Sequence, residues 1–301
     1  MDLSVVVPTL DGRERLRRCL ESLSAHVPDA EIVVVNGPST DGTSGMVRDR
    51  SDVGVLVEVA DRNRNVARNA GIGAASGDVI ALVGHDLAIG PGWVDAIREE
   101  VAAGADVVTG PIHQAVRVGM TTESEESEPV AGRTVTYFNG DNVAFSRVAI
   151  QELDGFDEYL EIGGAHDGSH RLAALGRDVV WSGDMVVTRD VGTDGGVTSR
   201  DWTERYRALA YRLTKNYGIR PGVARRLLGS AVAECAGSAR EVATGELPFS
   251  SWLGTVRGTV VGAAVGARDG VRARFGDRAT RHNPHGISSR YDRAVETYDR
   301  R

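Results

Sequence analysis

Residues 79–93 read VIALVGHDLAIGPGW. Five apolar residues, Val79 to Val83, make a strand buried on both faces. It empties into Gly84-His85-Asp86, and Pro91-Gly92-Trp93 then turns the chain into a helical pattern. Similar apolar runs occur at Leu3–Val7, Ile32–Val35, Val53–Val59 and Val107-Val108. Helical patterns at 13–25, after NGPSTDGT, at 65–76 and at 91–103 separate them. In the first, Leu16, Cys19, Leu20 and Leu23 share one face. Continuous apolar strands alternating with helices predict an α/β fold, a mostly parallel Rossmann-like sheet flanked by helices. Ligands bind such sheets at the carboxyl ends of the strands. The loops at 8–12, 36–42, 60–65 and 84–86 therefore mark the expected site.

Composition narrows the setting. The 301 residues carry 35 Lys+Arg and 42 Asp+Glu. Lys215 is the single lysine, so the cations are almost all arginine. The charge is unevenly spread: residues 201–301 hold 18 basic and 10 acidic groups, a balance of +8, which leaves residues 1–200 at −15. Such asymmetry predicts that the C-terminal third meets an anionic surface. No apolar stretch reaches the roughly 20 residues of a membrane span. MDLSVVVPTL reads as a strand rather than a signal peptide. Cys19 and Cys235 lack metal-ligand spacing and read as small apolar packers.

Residues 120–132, TTESEESEPVAGR, read as an acidic surface loop or flap. Strand-like Val135–Phe138 and Val143–Phe145 flank Asn139-Gly140-Asp141-Asn142. Residues 162–176, IGGAHDGSHRLAALG, open on glycines and become helical. Past about 200 the texture changes to long helical patterns at 202–217, 221–243 and 250–274, with a polar tail after 276. In the last helix Leu253, Val256, Val260 and Ala264 form an apolar face, with Arg257, Arg268, Arg272 and Arg274 beside it. That is the character of an interfacial helix. The expected domains are thus 1–200, the α/β unit, and 201–301, a basic helical extension associating with a membrane.

SVVVPTLDGRERLRRCLESL, EIVVVNGPSTDGT, NVARNAGIGAASGDVIALVGHD, NGDNVAF and DGFDE, in that order, resemble the family-2 nucleotide-sugar glycosyltransferases of GT-A fold. The resemblance covers roughly residues 3–181. The C-terminal HNPHGISSRYDRAVETYD is similar to archaeal Agl-type enzymes of dolichol-linked N-glycan assembly. What the resemblance implies is inverting transfer of a sugar from a nucleoside diphosphate, usually UDP, to a lipid-linked (dolichol phosphate) acceptor. A hexuronic acid is the implied sugar, and the cytoplasmic face of the membrane the implied place.

The resemblance also implies roles. Gly84-His85-Asp86 stands where the family has D-x-D, which holds Mg²⁺ or Mn²⁺ against the leaving diphosphate. Asp86 keeps one carboxylate, and His85 assists or contacts ribose or phosphate. Pro8, Thr9, Asp11, Asn36 and Arg64 fall to donor binding, Asp141 to the acceptor side. Ser169-His170-Arg171-Leu172 matches the helix that follows the family's catalytic acids. Asp167, the single carboxylate in residues 162–177, is the expected general base, with His166 as alternative. Gly84 and Gly164-Ala165, which replace acidic residues of the family, keep a second reading open: a non-catalytic scaffold at the membrane. Nucleic-acid binding is not expected, since the basic C-terminal third lacks interleaved aromatics.

Overall fold

The computed structural model describes residues 1–116, 119–189, 201–244, 248–276 and 282–301. Strands β1 (Leu3–Thr9), β2 (Glu31–Asn36), β3 (Val55–Val59) and β4 (Val79–Val83) run parallel. They are joined through α1 (Arg13–His26), α2 (Thr43–Arg48) and α3 (Arg64–Ala74). After β4 come β5 (Leu87–Ile89), α4 (Trp93–Ala102), β6 (Val107–Thr109), β7 (Ile112–Val116), β8 (Gly119–Thr122), β9 (Ser127–Val130), β10 (Arg133–Thr136) and β11 (Asn142–Ser146). Next are α5 (Arg147–Leu153), α6 (Gly164–Leu175), β12 (Val179–Trp181), β13 (Val187–Arg189), α7 (Trp202–Tyr217), α8 (Pro221–Ala243), α9 (Phe249–Gly276) and β14 (Ala294–Asp299).

The main sheet has the order β12-β6-β11-β4-β1-β2-β3-β14. The chain steps from β1 outward through β2 and β3, then returns to place β4 on the other side of β1. This reversal opens a crevice at the carboxyl ends of β1 and β4. Thr9 closes one strand there and Gly84-His85-Asp86 leaves the other. Both faces of the sheet are covered. Val5, Val7, Val34 and Ala81 pack with Leu16, Leu20 and Trp93 on one side, and Val6, Val33, Val35 and Leu82 with Ile72, Phe145 and Phe156 on the other. Double burial explains why these strands read as unbroken apolar runs.

Two segments differ from their sequence reading. The acidic stretch 120–132 is no plain loop. Its residues enter two hairpins, β7 with β8 and β9 with β10. Glu128 accepts hydrogen bonds from Tyr137 and Arg226, so part of its charge is paired rather than solvated. The polar tail ends in β14, which adds antiparallel to β3 and completes the sheet edge, with Thr297 opposite Val57. An edge strand needs only one half-covered face, so its residues stay polar. Here Arg48 lies 4.2 Å from the Tyr298 ring centroid, and Arg293 pairs with Glu158. The boundary expected at residue 200 lies outside the described residues.

The C-terminal helices are held by a glycine face. Gly258, Gly262, Gly266 and Gly270 recur every four residues on the buried side of α9. A Cβ on Gly262 would stand 2.2 Å from the Thr203 carbonyl oxygen, and one on Gly266 2.1 Å from that of Arg207. The register advances together along both helices, so α7 and α9 lie parallel at backbone contact. Glycine inside a helix costs about 1 kcal/mol relative to alanine, and here close approach offsets it. Gly266→Ala should therefore destabilise by about 1–3 kcal/mol despite alanine's better propensity. The control Gly254→Ala, where nothing lies within 4 Å, should be neutral or gain up to ~1 kcal/mol. Thermal melts of the pair read the difference.

With its glycines turned inward, α9 turns its apolar side chains outward. Leu253, Val260 (62% exposed), Val261 and Phe275 (80%) face solvent, as do Leu228 and Val232 of α8. Among the described residues no helix is long and apolar enough to cross a membrane.

Candidate active site

Three cavities lie in a row along the carboxyl edge. The first, about 190 Å³, is lined by Pro8, Thr9, Gly37, Arg64 and His85 among others. The second, about 840 Å³, shares Asp61 to Arg64 with the first and adds Arg68, Asn139, Gly140 and the loop Glu161–His166. The third, about 580 Å³, shares Asn139, Gly140, Ala165 and His166 with the second and extends to Tyr137, Trp181 and Glu123–Glu126.

The walls are set by α3. Its N-cap Asn63 accepts from the Asn65 amide at 2.8 Å. The Asn65 side chain donates to the Leu160 carbonyl at 2.7 Å. Asn69 donates to the Phe156 carbonyl and accepts from the Phe156 amide, both at 2.8 Å. These amides fix the loop that forms the far wall of the second cavity. One turn apart on the same helix, Arg64 and Arg68 hold the Asp141 carboxylate at 3.0 and 2.7 Å. Burial works against ionising Asp141, but Arg68 and Arg64 overcome it and keep its pKa below the usual carboxylate range. Asp141 is an anchor for two cations that face the second cavity.

The strand-end residues divide. Thr9 Oγ1 is buried without a hydrogen-bond partner among the described residues, and Thr9 lines the first cavity. A buried hydroxyl left unpaired fits a polar ligand. His85 also lines that cavity, with Nδ1 3.3 Å from the Pro8 carbonyl oxygen. Burial pushes its pKa down. Asn36 and Asp11, expected to meet the donor, instead shape the loops. The Asn36 amide donates to Ser44 and accepts from Ser39. Asp11 accepts from the Thr40 amide at 2.8 Å and pairs with Arg62 at 3.5 Å.

Asp86 stands half-buried at the exit of β4, and its Oδ2 accepts from Arg189 Nε of β13 at 2.9 Å. A Cβ on Gly84 would lie 3.1 Å from Asp86 Oδ1 and 3.2 Å from Asp141 Cβ, so the space of a second carboxylate is already enclosed by two. Among the described residues no three His, Cys, Asp or Glu side chains converge on one point. The donor set is therefore a single carboxylate. That fits a hard divalent cation whose remaining ligands are diphosphate oxygens and water. It does not fit a cation caged by protein alone.

The expected general base, Asp167, lies outside the three cavities. Asp167 is fully buried. Its Oδ2 accepts from Lys215 Nζ at 2.7 Å and Arg171 Nε at 2.8 Å, and its Oδ1 from Asn216 at 2.9 Å. Lys215 also bonds Asp157 Oδ2 at 2.6 Å, which accepts from Tyr211 as well. Burial raises the Asp167 pKa, but Lys215 and Arg171 reverse the sign and hold it well below the ordinary range. Two carboxylates and two cations balance inside the protein, and none of the four lines the three cavities. Its neighbour His166 does, at the junction of the second and third. Burial and the nearby Arg212 lower the His166 pKa to about 4, so the imidazole is neutral, with a lone pair available. Sequence reading missed Arg189, Arg212 and the Lys215 network. Only Lys215 carried a signal, as the single lysine.

Comparison with known proteins agrees with the fold. Residues 4–149 match the glycosyl transferase family 2 domain. The chain is 23% identical over 200 residues to glycosyltransferase AglE of Haloferax volcanii, covering 61% of this chain and 65% of that protein. It is 23% identical over 219 residues to a pre-mycofactocin glycosyltransferase of Mycobacterium tuberculosis, covering 68% and 45%. The chain thus spans less than two thirds of these relatives. Among solved structures, S. aureus TarS 1–349 in complex with UDP-GlcNAc superposes with TM-score 0.62 at 13% identity, over 92% of this chain and 91% of that one. The mannosyltransferase PcManGT from Pyrobaculum calidifontis, in complex with GDP-Man and Mn²⁺, gives 0.55 at 17% identity, over 88% and 86%.

Proposed function

We propose that this chain, which carries a glycosyl transferase family 2 domain over residues 4–149, transfers a sugar with inversion from a nucleoside diphosphate to a lipid-linked acceptor. The observation that carries the reading is the row of three joined cavities. Their sizes and linings match a nucleoside, a diphosphate-sugar and an acceptor in that order. The nucleoside lies by Thr9 and His85. The diphosphate meets Arg64 and Arg68, which the carboxylate of Asp141 holds in place. Asp86 would hold Mg²⁺ or Mn²⁺ with the diphosphate, and the cation's contribution is to stabilise charge on the leaving group. The acceptor enters through the third cavity and attacks the anomeric carbon from the face opposite the diphosphate. As the new C–O bond forms, the old one breaks and its electron pair leaves on the phosphate oxygen. The acceptor hydroxyl proton passes to the lone pair of His166.

The acceptor is a lipid-linked sugar carried on a dolichol-type phosphate, in N-glycan or surface glycan assembly at the cytoplasmic membrane face. The exposed apolar side chains of α8 and α9, with Arg257, Arg268 and Arg272 among them, support membrane contact. Leu253→Ser with Val260→Ser should reduce co-sedimentation with anionic vesicles at least tenfold and leave binding of UDP unchanged. Sedimentation equal to wild type would remove the membrane from the account.

The test of the activity is an assay of UDP- and GDP-linked sugars, a hexuronic acid among them, with a lipid-linked sugar acceptor and Mg²⁺ or Mn²⁺. Transfer is expected, and its loss in Asp86→Ala while the protein keeps its melting temperature. No turnover of any donor, with nucleotide bound normally, would favour the non-catalytic scaffold.

A further inference from the structure

Among the described residues, Arg212 on α7 is a largely buried cation without a carboxylate partner. Its Nε is buried without a hydrogen-bond partner, and among the described residues no carboxylate lies within ion-pair distance of its guanidinium. The surrounding charges are already spent on one another. Asp157 and Asp167 are balanced by Lys215 and Arg171, and Glu128 by Arg226. A mostly buried guanidinium without a counter-anion destabilises the free protein. Such a cost persists at functional sites, where a ligand supplies the missing charge.

The guanidinium reaches the cleft. A Cβ on Gly163 would come within 2.9 Å of Arg212 Nη1, and Gly163, in the left-handed region at φ +74°, lines the second cavity. Arg212 is also the strongest charge acting on His166, which lines both the second and the third. It therefore sits behind Gly163, in the wall of the second cavity that leads to His166.

We infer that Arg212 is the acceptor-binding residue, and that it takes the phosphate by which an isoprenoid lipid carries the acceptor. The inference rests on the glycosyl-transfer reading and names its acceptor. A planar guanidinium binds phosphate oxygens in a bidentate fork. Anchoring there leaves a hydroxyl of the attached sugar to face His166.

The test uses the full chain saturated with UDP and titrates it calorimetrically with citronellyl phosphate, citronellol, inorganic phosphate and glucuronate. Citronellyl phosphate should bind and citronellol should not. Arg212→Gln should weaken citronellyl phosphate at least tenfold while UDP affinity stays within twofold. Arg212→Met should leave the melting temperature unchanged or raise it by roughly 1–4 °C, because an unpaired buried charge is removed. Equal citronellyl phosphate affinity in Arg212→Gln overturns the inference. So does inorganic phosphate binding as tightly as the lipid phosphate, or glucuronate binding through Arg212, which would assign the residue to a donor carboxylate. A fall in melting temperature of Arg212→Met by more than about 4 °C would make Arg212 structural. Failure of UDP itself to bind would instead count against the glycosyl-transfer reading.

Discussion

Lys215→Met should destabilise the protein by about 3–5 kcal/mol, lowering the melting temperature by roughly 6–20 °C. Lys215 is wholly buried and bridges two carboxylates, Asp157 at 2.6 Å and Asp167 at 2.7 Å. Methionine fills a similar volume, so packing is largely kept and the loss is electrostatic. Asp167 would retain Arg171 at 2.8 Å, but among the described residues Asp157 would keep only neutral donors, Tyr211 and the Tyr159 amide. An uncompensated charge in a dry interior is the costly outcome, more than the absence of the whole network would be. Asp167→Asn follows the same logic: it leaves Lys215 and Arg171 facing one carboxylate, and its activity loss should track unfolding. Denaturant melts with activity measured on the folded fraction separate this from a catalytic role. A variant that melts like wild type yet fails to turn over would restore Asp167 as the base.

The same network gives a pH dependence with a fixed sign. The Asp167 pKa is depressed in the folded state. Its contribution is therefore full above the ordinary carboxylate range and is lost as pH falls through the folded value. Asp141, held below the usual range by Arg68 and Arg64, adds in the same direction, so acid should loosen the helical region and the cleft together.

These networks also mark where sequence reading stops. The parallel strands were legible because burial on both faces leaves an uninterrupted apolar signature, and the crevice followed from the βα alternation alone. Gly84-His85-Asp86 stood out because polar residues directly after such a strand fall at that edge. The burial of Asp167 was not legible for a physical reason. Along IGGAHDGSHRL a carboxylate near a helix start looks available, and nothing local reveals its partners, which lie 48 and 49 residues away on α7. One local sign existed: Asp167 and Arg171 are spaced i, i+4 and share a helix face. β14 was missed because edge strands need no apolar run. The reading of α9 rested on its apolar and arginine residues, whereas the spacing of its glycines by four sets the contact with α7.

His166→Ala should lower kcat by about 10²–10⁴ with little change in melting temperature, the loss expected when a general base is removed. The side chain lies at the seam of the second and third cavities, and its ring contacts Tyr137, centroids 5.0 Å apart, without entering the buried ion network. What distinguishes a base from a merely nearby imidazole is the acid limb of the kcat/KM profile. An ordinary histidine would lose its neutral form near pH 6.5. Burial and Arg212 lower His166 to about 4, so the neutral form persists and the profile should stay flat from pH 8 to about pH 5. Arg212→Gln removes one of the two depressing influences and should move the limb upward in the residual activity. A wild-type limb near 6.5, or a His166→Ala variant with unchanged kcat, would place the proton acceptor elsewhere.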